Sequence, residues 1–229
     1  MIDYGQFCTV ARGAEVLCDR WTPLVVRELL CGSTQFNEIR RGLPRMSPTL
    51  LAKRLRTLED FGVVRRHEHG RRTSYELTAA GEELRPIVMA LGHWGSRWIG
   101  SRLRQDQLDA GFLMWDVRRF VRLEEFPADR QVVIHFAFSD AGPRERDWWL
   151  VVSAGVADLC RDDPGHELTL EVRSSVRALT EVWTGDTTPD AVLRAREIEV
   201  VGPHRDAERL WAWLGTSVFA PSRHLRVAG

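Results

Sequence analysis

The cations within residues 47–61 have the spacing of a surface that binds a polyanion. Residues 47–61 have helical periodicity, with Ser47 suited to cap the helix and a proline suited to its first turn. At about 100° per residue, Leu51, Leu55 and Leu58 fall on one side of this helix. The opposite side then presents a hydroxyl and two cations, while a third cation lies on the flank, better placed for a phosphate than for a base edge. The candidate DNA contacts of the helix are Ser47, Thr49, Lys53, Arg54 and Arg56.

A second basic group follows on a predicted hairpin. Two β-prone runs, 63–69 and 71–77, flank Gly70, which is typical of a hairpin. A short helix at 36–41, a turn, the capped helix and an arginine-rich hairpin, in that order, predict a winged helix-turn-helix whose second helix enters the major groove of double-stranded DNA. One cation alone is more often just part of a solvated helix face, so the prediction depends on the combination. The hairpin residues that could reach the phosphates or the minor groove are Arg65, Arg66, Arg71 and Arg72.

The pattern and the charge of the chain divide it into two domains. Residues 1–104 are predicted to be mainly α-helical, with the winged helix-turn-helix, and 110–229 to form an α+β domain. The first 104 residues hold 17 Lys and Arg against 11 Asp and Glu, a net charge of +6, and the remainder is acidic by the same amount. The basic half is therefore the one that suits a polyanion.

The remaining elements follow from caps and periodicity. We expect a helix from Thr22, with Thr22 as its cap, and a long helix capped by Thr78 that runs to about residue 104 and kinks at Pro86. In the second half we expect strands at 132–138, 148–152, 167–172 and 198–201, and helices at 112–123, 174–183, 189–196 and 206–214.

Composition and motif searches exclude several classes of protein. With 44% hydrophobic and 28% charged residues, the chain is typical of a globular protein. It has no apolar run long enough to span a membrane and no secretory leader, so we expect a cytoplasmic, nucleoid-associated protein with four reduced cysteines. Nucleophile-elbow, zincin, P-loop and dinucleotide-binding motifs are missing, so no enzyme activity or cofactor is expected. His67 and His69 lie on the predicted wing, where a phosphate contact or a solvated loop is simpler than a metal site. Asp162, Asp163 and His166 flank a Pro-Gly turn, where acidic residues are common, so no metal is expected.

The first hundred residues resemble the HxlR family of bacterial transcription regulators. The resemblance covers about residues 5–100 and implies a homodimer with one winged helix per subunit. Family members commonly carry Arg where this chain has Thr49, so the contacts that read bases need not transfer. The residues that carry the resemblance are Cys8, 17–24, 27–30, 36–39, 47–55, 75–78 and Gly81.

The predicted helix at 78–104 gives the dimer a physical basis. Its apolar stripe ends in Trp94 and Trp98, more aromatic surface than a small domain needs, which favours an interface. The alternative is that both tryptophans pack against the second domain. A two-fold dimer would read a pseudo-palindromic site with half-sites about 10 bp apart or a multiple of that.

The second half resembles a sterol-carrier-protein-type domain. The resemblance rests on 148–152, Gly155, 158–160, 163–165, 178–185 and 213–219. It implies an apolar cavity for a lipid-like or aromatic molecule, so we expect a hydrophobic small-molecule effector that alters DNA affinity. A plain packed core is the alternative explanation of the same aromatic residues. The candidate ligand contacts are Trp115, Phe136, Phe138, Trp149 and Trp183.

Two rival functions stay open. Cys8 matches a position where some members of the HxlR family use a reactive cysteine, which would make the protein a redox or electrophile sensor with a merely structural second domain. Its neighbours Asp3 and Arg12 carry opposite charges and do not clearly favour the reactive thiolate. The other rival is a dimerisation protein that does not bind DNA.

Overall fold

The computed structural model describes residues 4–70, 72–99 and 103–220. The chain divides into two compact units, Met1–Gly92 and His93–Gly229. This division falls within a helix, whereas the domains expected from the sequence, 1–104 and 110–229, meet after it. Within the described ranges, no helix combines the length and the apolar character needed to cross a membrane.

The first unit is a winged helix-turn-helix. In its hairpin, β1 and β2 pair antiparallel from Val64 opposite Leu77 to His69 opposite Arg72. A bridge between Gln35 and Ser74 attaches the segment before the third helix to the hairpin. The elements are α1 (Thr9–Leu17), α2 (Thr22–Leu30), α3 (Phe36–Arg41), α4 (Pro48–Asp60), β1 (Val64–His69), β2 (Arg72–Leu77), α5 (Ala79–Glu82) and α6 (Arg85–Trp98), the last of which continues into the second unit.

Two helix starts in this unit differ from the sequence prediction. Thr22 does not cap α2: it is the first helical residue, and Trp21 is the N-cap in the left-handed region at φ 78°. Thr78 does cap a helix, but that helix is the short α5, and the predicted continuous helix is wrong. A second helix begins at Arg85 and ends at Trp98, so that Pro86 lies in its first turn. In the first turn a backbone N–H has no partner within the helix, so the N–H that proline lacks is not missed there. Pro86 therefore starts a helix instead of kinking one.

The second unit is α+β, with a five-stranded sheet in the order β5-β4-β3-β6-β7. Only β3 and β6 run parallel among these described strands; the other neighbours are antiparallel. Ile134, Phe136 and Phe138 share one face of β3 and are fully buried, in the same core as residues of the helices. The elements are α7 (Ala110–Phe120), β3 (Val132–Phe138), β4 (Asp147–Ser153), β5 (Val156–Cys160), β6 (Leu170–Ser174), α8 (Val176–Thr184), α9 (Pro189–Arg194), β7 (Ile198–Val201) and α10 (His204–Leu214).

Most elements of this unit were predicted, although α7 ends at Phe120, three residues before its predicted end, and two strands differ from the prediction. Strand β6 begins at Leu170, three residues later than expected. Strand β5 was missed altogether. It pairs with β4 from Ser153 opposite Val156, across the two-residue turn Ala154-Gly155, both of whose residues have positive φ. Such turns usually carry Asn-Gly or Asp-Gly, and alanine in the first position conceals the hairpin.

Candidate nucleic-acid interface

Helix α4 presents a polar surface opposite its buried leucines. The Ser47 hydroxyl oxygen accepts a hydrogen bond from the backbone N–H of Leu50 at 3.2 Å, which caps the helix as predicted. The predicted inward side is confirmed, because Leu51, Leu55 and Leu58 are buried in the core of the first unit. The residues exposed on this helix include Thr49, Lys53 and Arg56. A hydroxyl and two cations therefore face outward along one helix, as a groove-reading surface requires.

The helix that precedes α4 is fixed at its start by a carboxylate. Glu38 accepts hydrogen bonds from the backbone N–H groups of Thr34 and Gln35, each at 3.0 Å. Ile39 is fully buried. The backbone N–H of Tyr75 donates to the carbonyl of Thr34 at 2.8 Å and ties this segment to the wing. The turn, α4 and the wing thus belong to one framework.

The wing carries exposed cations, and one of them forms an ion pair within the wing. Arg65 and Arg72 are exposed. Arg66 forms an ion pair with Glu68 at 2.6 Å, and both side chains remain substantially exposed. Since such surface pairs contribute little energy, Arg66 remains available to a phosphate. Arg71 lies outside the described residues, so its predicted role is not tested.

Arg54 is engaged inside the unit. Its guanidinium contacts the Asp19 carboxylate through two N···O pairs of 2.6 and 2.7 Å, and its Nε donates to the carbonyl of Arg20 at 3.1 Å. The side chain of Arg54 is only 11% exposed. Helical spacing placed Arg54 on the flank of α4, but it could not show that a carboxylate 35 residues earlier lies beside it.

The comparisons with known proteins agree with this architecture. The model of the HxlR-like helix-turn-helix family matches residues 16–103. The HTH-type transcriptional regulator YvaP of Bacillus subtilis is 40% identical over 91 residues, which cover 38% of this chain and 84% of that protein. The chain belongs to the HxlR-like helix-turn-helix family. The regulator sll1512 of Synechocystis is 34% identical over 98 residues, 42% of this chain and 73% of that protein.

Membership of the HxlR-like family makes the chain a DNA-binding helix-turn-helix transcriptional regulator. One solved structure of similar sequence is the redox regulator HypR in its reduced form, which is 30% identical; the match covers 39% of this chain and 91% of that one, with a TM-score of 0.37. Another is the reduced form of the transcriptional regulator YodB of B. subtilis, which is 28% identical; the match covers 41% of this chain and 95% of that one, with a TM-score of 0.36. The match to the HxlR-like family model ends at residue 103, before α7 begins.

The five predicted ligand contacts differ in burial, and they do not all lie on one face of the sheet. Phe136 and Phe138 are fully buried, and Trp115 and Trp183 nearly so. The Trp183 indole N–H donates to the Asp116 carboxylate at 3.0 Å. Trp149 points to the other face of the sheet from Phe136, where its ring stacks on His135 with centroids 4.7 Å apart.

An open groove of about 870 Å³ lies at the ends of β3 and β6 and the start of α8. Of the five predicted contacts, the described lining includes only Phe138. Arg173, on its wall, is held by Glu171 and Glu199, and the hydrogen bond from Arg173 to Glu171 raises the pKa of the guanidinium. The groove is therefore partly apolar and partly ionic.

No disulfide joins Cys8, Cys18, Cys31 or Cys160 in the structure. Cys8, the N-cap of α1, is exposed, as is Cys18 at the other end of the helix. Within the described part of the chain, no cluster of three or more His, Cys, Asp or Glu side chains could hold a metal ion.

Proposed function

We propose that this regulator binds double-stranded DNA as a homodimer and places one α4 helix in each of two major grooves of a pseudo-palindromic operator. The observation that carries the proposal is the outward-facing set Thr49, Lys53 and Arg56, opposite three buried leucines. Exposed Arg65 and Arg72 on the wing would contact the neighbouring backbone. Such a protein would act at the nucleoid.

An unpartnered apolar stripe supports the dimer. Ile87, Leu91, Trp94 and Trp98 follow one another at helical spacing on α6, and Trp94 and Trp98 are 55% and 65% exposed. Phe7, two residues before α1, is almost wholly exposed as well. Apolar side chains in this number are rare on a monomer surface and are typical of an interface. A second copy of the chain would cover them and set the spacing of the two α4 helices.

A double charge reversal on α4 tests DNA binding. The Lys53→Glu, Arg56→Glu variant should fold and dimerise like the wild type, because neither side chain is buried, but it should lose DNA in gel-shift assays. The operator is obtained by selection from a random duplex library. If the folded double variant still binds the selected duplex with wild-type affinity, α4 is not the reading helix. A purely structural dimerisation protein would select no duplex at all.

In the second unit we propose a hydrophobic small-molecule effector held by a sterol-carrier-like domain. The groove beside Phe138, with Ala137 and Ala178 on its walls, supports this proposal. Its walls also carry arginines and glutamates, so the groove suits a molecule with an apolar body and a polar end. Calorimetry with fatty acids and aromatic acids, with and without the selected duplex, checks it. The effector is excluded if no compound that binds alters DNA affinity, since coupling needs different ligand affinities in the two states.

A thiol sensor remains the alternative. The exposure of Cys8 leaves it accessible to oxidants and electrophiles. In this reading the second unit is structural. The DNA affinity of the Cys8→Ser variant, measured with and without diamide or a quinone, decides: an unchanged response eliminates Cys8 as the sensor.

A further inference from the structure

The side chain of Arg54 ties the corner between α1 and α2 to the recognition helix. Arg54 of α4 reaches Asp19 with two close N···O contacts and Arg20 with a third contact, to the carbonyl. Asp19 and Arg20 belong to the connection between Leu17 and Thr22. A guanidinium offers donors in a fixed planar fork, so three contacts define its position and that of the helix that carries it.

The same corner contains an unusual backbone conformation. Trp21 follows Arg20 directly and has φ 78°, a region that bulky side chains rarely adopt. Its carbonyl accepts the hydrogen bonds of the first turn of α2, from Leu24 and Val25 at 3.1 and 3.0 Å. A conformation of this kind persists only where surrounding contacts determine it. Arg54 contacts the two residues that precede Trp21.

We infer that Arg54 is a positioning residue for the recognition helix and not a phosphate contact: its pairing with Asp19 and Arg20 sets how α4 is presented to DNA. The inference rests on the proposed DNA binding by α4. The charge of Arg54 is neutralised by Asp19, and burial leaves little of its side chain for a phosphate. Helix α1 itself has no buried residue, although Val16 and Leu17 pack against the core. The Asp19–Arg54 pair is therefore a main link between α4 and the corner at the end of α1.

Salt dependence separates a positioning role from a phosphate contact. DNA affinity is measured over a range of salt concentrations, for a duplex selected in vitro and for poly(dI-dC). The proteins compared are the wild type and the Asp19→Asn, Arg54→Ala, Arg54→Lys and Lys53→Ala variants. We expect Asp19→Asn and Arg54→Ala each to weaken binding to the selected duplex about tenfold, and the double variant to lose little more, as coupled neighbours do. The slope of log affinity against log salt should stay at the wild-type value, while Lys53→Ala should flatten it by about 0.9 per subunit that contacts DNA. Arg54→Lys should behave like Arg54→Ala, since an ammonium cannot reproduce the fork.

Three results would overturn the inference. In the first, Arg54→Ala flattens the salt slope, Arg54→Lys restores it, and Asp19→Asn leaves the affinity unchanged. This result would identify Arg54 as a phosphate contact. In the second, the Asp19 and Arg54 variants melt at a lower temperature, but the ratio of the affinity for the selected duplex to that for poly(dI-dC) is unchanged. This result would identify an ion pair that only stabilises the fold. A wild type that prefers no duplex removes the proposed function, and the inference with it. Arg54→Lys and Asp19→Asn are mild changes, and circular dichroism confirms their fold before binding is measured.

Discussion

The Glu28 carboxylate lies against Gly42 so closely that a Cβ built on the glycine would come within 1.9 Å of Oε2. Glu28 is fully buried at the end of α2, where Oε1 accepts a hydrogen bond from the guanidinium of Arg27 at 3.0 Å. Gly42 ends α3 in ordinary helical backbone. Space, and not backbone conformation, therefore requires glycine where the turn of the helix-turn-helix begins.

The Gly42→Ala variant should be strongly destabilised. The methyl group must displace a buried carboxylate, and we expect a loss of about 3 kcal/mol in the free energy of unfolding. Urea denaturation followed by circular dichroism measures it. Gly13→Ala is the matched control, because nothing lies within 4 Å of a Cβ there and Gly13 is inside α1; that variant should gain about 0.5 kcal/mol. Equal stabilities of the two variants would show that Glu28 and Gly42 are not packed as described.

Removal of each of two hydroxyls at the start of α4 should distinguish an effect on stability from an effect on DNA binding. Ser47→Ala removes the bond to the Leu50 N–H and should cost about 1 kcal/mol of stability. Thr49→Ala removes an exposed hydroxyl from the proposed reading surface and should leave stability within about 0.5 kcal/mol while altering affinity for the selected duplex. Thermal melts and gel shifts on both variants check this. The assignment of Thr49 fails if its removal affects neither the affinity nor the sequence preference.

Lys53 should contribute one phosphate or base-edge contact to binding. Lys53→Ala should weaken binding and flatten the salt slope by about 0.9 per subunit that contacts DNA. Arg205→Ala is the control: it removes one exposed cation from α10 in the second unit and should leave the slope unchanged. Fluorescence anisotropy across salt concentrations gives both slopes. Identical slopes for the two variants would mean that general charge, and not position on α4, drives binding.

The apolar stripe of α6 should hold the dimer. A charge in its middle, in Trp94→Glu, should shift the protein to monomer in light scattering and reduce binding to the full operator far more than binding to one half-site. Val156→Glu, a similar change at an exposed apolar residue of β5, should leave the dimer intact. A Trp94→Glu protein that remains dimeric would place the interface elsewhere.

Local signals predicted elements well where caps and periodicity agreed. The Ser47 cap, the inward leucines of α4 and the wing hairpin follow from neighbouring residues alone, and the structure has all of them. The prediction failed where one residue has two possible meanings. Pro86 can kink a helix or start one, and Thr22 can cap a helix or begin it. The choice in each case depends on contacts with the rest of the unit.

The site was predicted less completely than the fold, because its deciding contacts are long-range. The spacing of α4 identified three outward residues, but Arg54 meets Asp19 across 35 positions of the chain. The aromatic residues of the second half were expected at a cavity, and most of them are core. The sequence pattern of a buried aromatic ring is the same in a packed interior and in a ligand pocket. Only its three-dimensional placement separates the two.

Lys53 is the only lysine in the 229 residues, and it stands exposed on the recognition helix. Apart from the α-amino group, an acylating reagent therefore finds a single amine on the whole protein, at the position proposed to meet DNA. One acetyl group would erase that cation and leave every arginine untouched, and a bound duplex would shield the amine from the reagent.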